Sequence, residues 1–503
     1  MNELWELSVE EVARRVRSRE VSAAEVTEAA LARTAQVEPL IAAYLEVFTE
    51  KARGRAAEID QRIAAGDDPG PLAGVPVALK DNLSLTGHRL TCASRILEGY
   101  VAPYTATAVE RLLAAGAVIL GRANMDEFAM GSSCENSAYQ TTRNPWDLSK
   151  VPGGSSGGPA AAVAAGSVPL GFGSDTGGSV RQPAALSGVV GLKPTYGRVS
   201  RYGLVAFASS TDQIGPLTRN VRDAALGLQV IAGPDPHDAT CADRPVEDYL
   251  ARIEEGIAGL KVGVIRDIDV AGLSPASARG WREGLGFLER AGAEIVEVSV
   301  PSLDAAVAIY YVIAMSEASA NLARFDGVRY GRRRSSGEAG EGRAGNLADL
   351  YGASRSEGFG PEVKRRIMLG TFALSSGYYE AYYGRARGVL ARMRRELEAA
   401  FERADLLVTP TSPTSAFGIG EKMDDPLAMY LSDIFTAPAS LVGLPAFAVP
   451  TGLDDDGLPQ SLQIMGRMFD EATVFRACRA LEHETIREAA WRVAPTFRGA
   501  EAR

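Results

Sequence analysis

Two short segments rich in glycine and serine carry the residue types that could do chemistry in this sequence. The first, from Gly153 to Pro159, is GGSSGGP, and the second, from Gly173 to Ser179, is GSDTGGS. Glycines allow backbone conformations closed to other residues, so main-chain N–H groups can crowd around an anion. The segments therefore suit either a phosphate site or an oxyanion hole.

Two other interpretations of these segments, a nucleotide-binding loop and a flexible linker, are disfavoured. A phosphate-binding loop of the GxxxxGK(S/T) kind needs a lysine followed by serine or threonine, and neither segment has one. Flexible linkers fit poorly, because Pro159 occupies a plausible first helical position and strand-like residues flank both segments. We expect two loops around one short helix.

A serine nucleophile in either loop needs a base, and the three histidines lie in no recognisable triad context. Lys80 ends the apolar stretch VPVAL, so its amine is expected at the carboxyl end of a buried strand. Burial disfavours the ammonium form and can lower its pKa by several units, which suits a general base. Considered alone, Lys80 would more often pair with Asp81 or face solvent.

The combination of this lysine, GGSSGG and GSDTGGS resembles the amidase signature family over most of the chain. The resemblance implies a Ser-cis-Ser-Lys triad in which Ser179 is the nucleophile and Ser155 bridges it to Lys80. It also implies a cis peptide bond between Gly154 and Ser155. The proton of Ser179 would pass through Ser155 to neutral Lys80 and then to the departing ammonia.

Further donors are expected around this triad. The N–H groups of Thr176, Gly177, Gly178 and Ser179 are the natural oxyanion hole, and Ser156 is an expected hydrogen-bond partner behind the triad. The family often has a small residue where this chain has Pro159. Little effect is expected, because the first helical position tolerates proline.

Longer stretches resemble one branch of that family, the glutamine-hydrolysing subunits of tRNA-dependent amidotransferases. These stretches are 131–147, 197–216, 324–331 and 354–383. The resemblance implies that Arg366 binds the α-carboxylate of glutamine and Asp433 its α-ammonium, with Tyr310 and Ser132 completing the pocket. Taken singly, Arg366 and Asp433 would more often be surface charges or structural ion pairs.

The resemblance also implies partners. A second, B-type subunit would bind charged tRNA, ATP and Mg²⁺, a small third, C-type subunit would hold the other two together, and ammonia would pass through a channel. No cofactor is expected in this chain. Its formal net charge of −10 argues against a large phosphate-binding surface, so the partner is expected to hold most of the tRNA. Whether Glu-tRNA(Gln), Asp-tRNA(Asn) or both are converted stays open. The alternatives are a stand-alone amidase and, less favoured because the triad residues are present, a noncatalytic scaffold.

Short apolar strands alternating with helices must position these residues, which predicts an α/β fold with one large mixed sheet covered by helices on both faces. Strands are predicted at 75–79, 117–120, 168–172, 260–265, 293–300, 406–410, 447–450 and 462–465. The predicted organisation is a helical N-terminal layer at 1–65, a catalytic domain at 66–490 and a C-terminal tail at 491–503. A polar, glycine-rich surface insertion is expected at about 332–347, and two helices or one bent helix between 361 and 403.

Composition points to a globular chain, with 46% hydrophobic and 23% charged residues. The N-terminus lacks the basic-then-apolar order of a secretory signal, and the longest uncharged run, 151–174, is too rich in glycine, alanine and serine to suit lipid. The four cysteines show neither CxxC pairing nor metal-ligand spacing. We expect reduced thiols, no metal, no membrane contact and a cytoplasmic location.

Overall fold

A computed structural model describes residues 3–268, 272–333, 346–487 and 494–500. In these ranges eleven strands form one mixed sheet in the order β1-β3-β2-β4-β6-β5-β10-β11-β9-β7-β8. The strands are β1 Tyr44–Val47, β2 Pro76–Lys80, β3 Val118–Ala123, β4 Leu170–Asp175, β5 Val190–Lys193, β6 Gln213–Thr218, β7 Lys261–Ile265, β8 Glu294–Val298, β9 Leu406–Pro410, β10 Ala446–Leu453 and β11 Pro459–Met465. Strands β3, β2 and β4 run parallel, as do β9, β7 and β8, while β6, β5, β10 and β11 join these groups through antiparallel pairs.

Fifteen α-helices accompany the sheet in the described ranges. They are α1 Val9–Arg17, α2 Ala23–Ile41, α3 Thr49–Ala65, α4 Thr107–Ala114, α5 Gly157–Ala164, α6 Arg181–Ser187, α7 Val221–Ile231, α8 Pro275–Arg290, α9 Ala306–Asn321, α10 Leu347–Gly358, α11 Pro361–Ala373, α12 Arg385–Arg403, α13 Pro426–Tyr430, α14 Ala437–Val442 and α15 Glu471–Arg487. The first two begin after Ser8 and Ser22, whose side chains accept N–H groups of the first turn.

Both faces of the sheet are covered, as predicted. On β9, Leu406 and Val408 belong to one buried hydrophobic cluster, while Leu407 between them belongs to another. This alternation follows from the two-residue period of a strand. The first cluster includes side chains of α2, α7 and α15, and the second includes side chains of α9 and α12. The α/β prediction is confirmed.

Three strands escaped prediction, namely β1, β5 and β6. The first lies inside the segment predicted to be a helical layer and pairs antiparallel with β3 at the sheet edge. β1 and β5 have only four residues each, and β6 contains a glycine and a proline, so apolar pattern alone does not reveal them. The stretch 361–403 forms two helices, α11 and α12, separated by a π-helical turn at Glu380–Gly384.

Two smaller expectations need adjustment. Pro159 is the third residue of α5 and not the first, and it still costs no intrahelical bond because the first four N–H groups of a helix have no partner. Most of the insertion expected at about 332–347 lies outside the described residues, as do 491–493 and 501–503 of the expected C-terminal tail.

One helical stretch in the described ranges, Pro301–Arg324, is long and apolar enough to span a membrane by length and composition. It is a different segment from the uncharged run at 151–174. Within its most apolar window 56% of the residues are buried inside the molecule, and its helix α9 packs against α11, α12 and α14. It therefore has the packing of a core helix.

Candidate active site

The parallel strands β2 and β4 place Lys80 beside one of the two glycine-rich segments. In their register Leu79 lies opposite Phe172, so the carboxyl ends of both strands reach the same edge of the sheet. Lys80 is the last residue of β2 and is completely buried. The adjacent carboxylate of Asp81 is not its partner, because Asp81 accepts from Arg122 at 3.0 Å. This excludes the simple pairing of Lys80 with Asp81.

The amine of Lys80 lies among serine oxygens. Its Nζ is 2.7 Å from Ser155 Oγ, 2.9 Å from Ser156 Oγ, and 3.1 Å from both the carbonyl and the Oγ of Ser174. The Ser174 carbonyl can only accept, Ser174 Oγ also accepts from Asn82 Nδ2, and the Ser156 hydroxyl itself donates to the Ser174 carbonyl. Ser155 Oγ is the nearest of these oxygens, and its hydroxyl can donate its proton to a neutral amine.

Burial lowers the pKa of Lys80 to about 7, against the opposing influence of nearby acidic side chains, Asp126 first among them. An amine with this pKa is substantially neutral at pH 7 and can both accept and return a proton. The structure therefore contains the buried lysine with a lowered pKa that the sequence predicted.

The segment that carries Ser155 is held in an unusual backbone conformation. The expected cis peptide bond joins Gly154 and Ser155, and α5 begins directly after Ser156. A Cβ placed on Gly154 would lie 2.1 Å from the carboxylate Oδ2 of Asp126, so only glycine fits there. The same carboxylate accepts the N–H of Cys134 at 2.9 Å. Asp126 therefore lies against Gly154 and also binds the backbone at Cys134.

Ser179, the predicted nucleophile, ends what we call the nucleophile loop, residues 176–179, which follows β4. It is 7% exposed, and its carbonyl accepts the N–H of Ser156 at 3.0 Å. The structure thus brings Ser179 next to the Ser155–Ser156 segment. In the described ranges no hydrogen bond joins the Oγ atoms of Ser155 and Ser179, so the Lys80–Ser155 half of the relay is formed and the second half is not.

A buried ion pair fixes the nucleophile loop at both ends. The carboxylate of Asp175 accepts the N–H groups of Gly178 at 2.9 Å and Val180 at 3.2 Å. The fully buried Arg181 binds the same carboxylate through Nε at 3.0 Å and Nη2 at 2.9 Å, and reaches the Thr436 carbonyl through Nη1 at 2.9 Å. Burial alone would raise the pKa of Asp175, but Arg181 holds it below its ordinary value.

These contacts change the predicted oxyanion hole. The N–H of Gly178 is engaged by Asp175, so it is not free for a substrate oxygen. For Thr176, Gly177 and Ser179 no acceptor of the backbone N–H is found within the described ranges, which leaves three of the four expected donors. The Thr176 side chain is itself anchored, since its hydroxyl donates to buried Asp212 at 2.6 Å.

Tyr310 links the nucleophile loop to the expected glutamine pocket. A Cβ on Gly177 would lie 2.4 Å from Tyr310 Cζ, so the ring presses on the loop backbone. On its other side Tyr310 packs edge-on against Tyr311 at 5.0 Å, and the Arg366 guanidinium lies 5.2 Å from the Tyr311 ring centre. The chain of contacts therefore runs from loop to Arg366.

Asp433 and Ser132 lie together in the same region. Ser132 Oγ donates to Asp433 Oδ2 at 2.7 Å. Burial raises the pKa of Asp433 to about 7, although the Ser132 hydrogen bond and the charge of Arg366 oppose the rise. Arg366 and Asp433 are both buried, so neither is a surface charge. The structure brings all four expected pocket residues together near the loop.

A cavity of about 230 Å³ adjoins this pocket. Arg366, Glu362 and Tyr430 are among its lining residues, whereas the triad residues are not. A larger described cavity of about 790 Å³ lies away from the site, between the N-terminal helices and α7. Of the four expected pocket residues, Arg366 lines this cavity and Asp433, Ser132 and Tyr310 do not.

Several residues of the site were not singled out from the sequence. They are Asn82, Asp126, Ser174, Asp175, Arg181, Asp212 and Thr436. Ser174 and Asp175 lie inside the GSDTGGS segment, Arg181 is two residues after its end, and Asn82 is two residues after Lys80, so their positions were a usable signal. No local pattern marks Asp126, Asp212 or Thr436, which reach the site only through the fold.

A buried lysine next to a serine pair in an α/β fold defines a candidate serine hydrolase with a lysine base. The family model for amidases matches residues 25–475. The chain is 53% identical over 483 residues to the A-subunit of glutamyl-tRNA(Gln) amidotransferase from Carboxydothermus hydrogenoformans, covering 96% of this chain and 98% of that protein. It is 55% identical over 485 residues to the protein of the same name from Roseiflexus castenholzii, covering 96% and 97%.

Solved structures agree with these relatives. The crystal structure of the glutamyl-tRNA(Gln) amidotransferase A-subunit from Thermotoga maritima aligns with a TM-score of 0.79 and 44% identity, over 96% of this chain and 95% of that one. The peptide amidase of Stenotrophomonas maltophilia aligns with a TM-score of 0.81 and 32% identity, over 98% and 99%. The chain belongs to the amidase family.

Proposed function

We propose that this chain is the glutamine-hydrolysing subunit of a tRNA-dependent amidotransferase. Relatives more than half identical over 96% of the chain carry the name of such a subunit. The observation that carries the proposal is the placement of two buried opposite charges near the nucleophile loop. Arg366 lies beyond Tyr310 and Tyr311, and Asp433 accepts a hydrogen bond from Ser132. A substrate with an α-carboxylate, an α-ammonium and a terminal carboxamide matches that arrangement.

The chemical step starts with transfer of the Ser179 proton. Neutral Lys80 accepts the proton of Ser155, to which it lies at 2.7 Å, while Ser155 takes the proton of Ser179. Ser179 Oγ attacks the carboxamide carbon, and the N–H groups of Thr176, Gly177 and Ser179 receive the developing oxyanion. The ammonium of Lys80 then returns its proton through Ser155 to the departing nitrogen, which leaves as ammonia.

The γ-glutamyl ester on Ser179 is then hydrolysed. A water molecule gives one proton through Ser155 to neutral Lys80 while its oxygen adds to the ester carbon. Collapse of this intermediate breaks the bond to Ser179 Oγ, which takes the proton back from Lys80 through Ser155, and glutamate is released. Ser156 and Ser174 keep the two N–H groups of the neutral amine occupied, so its lone pair faces Ser155. Their role is to orient the base.

The assembly follows from the same proposal. The second, B-type subunit holds the charged tRNA, ATP and Mg²⁺, the small C-type subunit joins the two larger chains, and ammonia passes between the active sites in the cytoplasm. The acidic net charge of −10 fits a chain that leaves the tRNA to its partner. No step in this chain requires ATP, because the activation of the tRNA-bound carboxylate occurs elsewhere.

Isotope transfer tests the proposal. The three co-expressed subunits are supplied with Glu-tRNA(Gln) or Asp-tRNA(Asn), ATP, Mg²⁺, amide-¹⁵N glutamine and excess unlabelled ammonium, and the amide of the tRNA-bound product is analysed by mass. Transfer within the complex predicts a product enriched in ¹⁵N well above the bulk ammonium pool. Glutamine hydrolysis with no amidated tRNA would instead identify a stand-alone amidase, and absence of hydrolysis would leave a scaffold.

A further inference from the structure

A buried carboxylate on α11 binds the arginine that is proposed to recognise glutamine. Glu362 is 8% exposed and lies one helical turn before Arg366, whose Nε donates to Glu362 Oε1 at 2.7 Å. The hydroxyl of Tyr430 donates to the same oxygen at 2.7 Å. The other oxygen, Oε2, accepts from Arg365. Both oxygens of Glu362 are therefore committed to holding neighbouring side chains.

Aromatic rings hold the same guanidinium from other directions. Tyr311 and Tyr430 stack with their ring centres 4.0 Å apart and their planes 25° apart. The Arg366 guanidinium lies 5.2 Å from the Tyr311 ring centre, 5.3 Å from that of Tyr430 and 5.7 Å from that of Phe207. Contacts of this kind are favourable for a guanidinium and restrict its rotation.

The terminal nitrogens of Arg366 are the part left open. Every hydrogen bond described for this side chain is made by Nε, and no acceptor for Nη1 or Nη2 is found within residues 3–268, 272–333, 346–487 and 494–500. A guanidinium presents its donors in a rigid fork, so a partner bound at Nε fixes the direction of the remaining ones. Those donors match a carboxylate ligand.

The net charge around Arg366 also favours an anionic ligand. Arg365, Glu362 and Arg366 form one contiguous cluster with two cations and one anion, so it keeps a single net positive charge. Glu362 stays ionised, because Arg366 holds the pKa of its carboxyl below the ordinary value against the effect of burial. A buried arginine can thus be neutralised in part and still attract an anion.

We propose that Glu362, together with the Tyr430 hydroxyl, is a positioning residue that aims the Nη groups of Arg366 at the α-carboxylate of glutamine. This rests on the proposed function. Glu362 touches no reacting atom, so its removal raises KM for glutamine and leaves the acyl chemistry in place. Removal of the Tyr430 hydroxyl also raises KM for glutamine, but by less, since this hydroxyl supports only one oxygen of Glu362.

The test compares glutamine with 4-aminobutanamide, which has the same carboxamide and amino groups and lacks the α-carboxylate. In the assembled complex, Glu362→Gln is expected to raise KM for glutamine about tenfold, the size of one charge-assisted contact, with kcat changed less than about threefold. Tyr430→Phe, which removes a single oxygen and keeps the ring, is expected to raise it about threefold. Hydrolysis of 4-aminobutanamide by either variant should match wild type, as should both substrates with the exposed control Glu402→Gln.

A double-mutant cycle shows whether Glu362 acts through the arginine. In an Arg366→Ala background, Glu362→Gln should add no further loss for glutamine. Losses that add fully, or equal losses on both amides, would overturn the positioning role. The wild-type preference for glutamine over 4-aminobutanamide tests the proposed function separately: without that preference both proposals fail, whereas its retention with parallel losses in Glu362→Gln removes this one alone.

Discussion

Thr436 Oγ1 donates a hydrogen bond of 2.6 Å to the carbonyl oxygen of Gly177, two residues before Ser179. Thr436 also lies three residues after Asp433, and its hydroxyl is 3.2 Å from the Asp433 carbonyl. One side chain therefore connects the loop that carries the proposed nucleophile with the segment that carries the proposed ammonium ligand.

Replacing this hydroxyl should loosen the loop without removing a substrate contact. Thr436→Val is expected to lower kcat for glutamine and for 4-aminobutanamide together, by about tenfold, the cost of one buried hydrogen bond. Thr436→Ser should restore most of the activity. A change confined to KM for glutamine would show that Thr436 belongs to the specificity pocket instead.

Lys80→Arg should be nearly as damaging as Lys80→Ala. A guanidinium stays protonated and cannot accept the proton relayed by Ser155, so both variants should lose more than about a thousandfold in kcat, within the range of acid–base catalysis. Initial rates with glutamine and thermal unfolding of each variant provide the measurement and the folding control. Arginine activity within about tenfold of wild type would show that Lys80 is not the base.

The two charged ends of glutamine can be tested one at a time. Arg366→Ala should lower kcat/KM for glutamine by about ten- to a hundredfold and should spare 4-aminobutanamide, which lacks the α-carboxylate. Asp433→Ala should do the same for glutamine and spare glutaramate, which lacks the α-amino group. Parallel losses on a substrate and its truncated analogue would mean that the residue supports the fold or the triad.

The pH profile should separate two residues of the site, Lys80 and Asp433, whose pKa values lie near neutrality. Lys80 must be neutral and Asp433 ionised, and burial brings the pKa of each to about 7. Both active forms are lost as pH falls, so log kcat/KM for glutamine should drop with a slope approaching two below pH 7. Glutaramate needs only neutral Lys80 and should give a slope of one, as should glutamine with Asp433→Asn. Equal slopes for both substrates in wild type would contradict the assignment.

Much of the fold was predictable because most strands are buried, apolar and flanked by turns. β2, β7 and β9 lie within one residue of their predicted ranges, and the short helix between the two glycine-rich segments is present. β5 and β6 were missed because their residues gain strand structure from pairing with β4 and β10, which are distant in sequence. The local sequence pattern does not show which distant segments pair with each other.

Part of the site was likewise predictable from the sequence, and part was not. The buried position of Lys80 was predictable from the apolar strand it ends, but its role, like those of Ser155 and Ser179, was implied only by the resemblance. The structure brings all three residues together. The engagement of Gly178 by Asp175 was not predictable from residue types, because it depends on the turn after β4. Asp126 and Thr436 reach the site across the fold and leave no mark in nearby sequence.

The most direct test of the account is Ser179→Ala in the assembled amidotransferase, assayed with glutamine and with ammonium as alternative nitrogen sources. Loss of the nucleophile should abolish glutamine hydrolysis and glutamine-dependent amidation of the charged tRNA. Amidation supported by ammonium should stay close to the wild-type rate, because that reaction is proposed to take place in the partner subunit. Equal loss with both nitrogen sources, or glutamine hydrolysis that survives the substitution, would contradict the central claim.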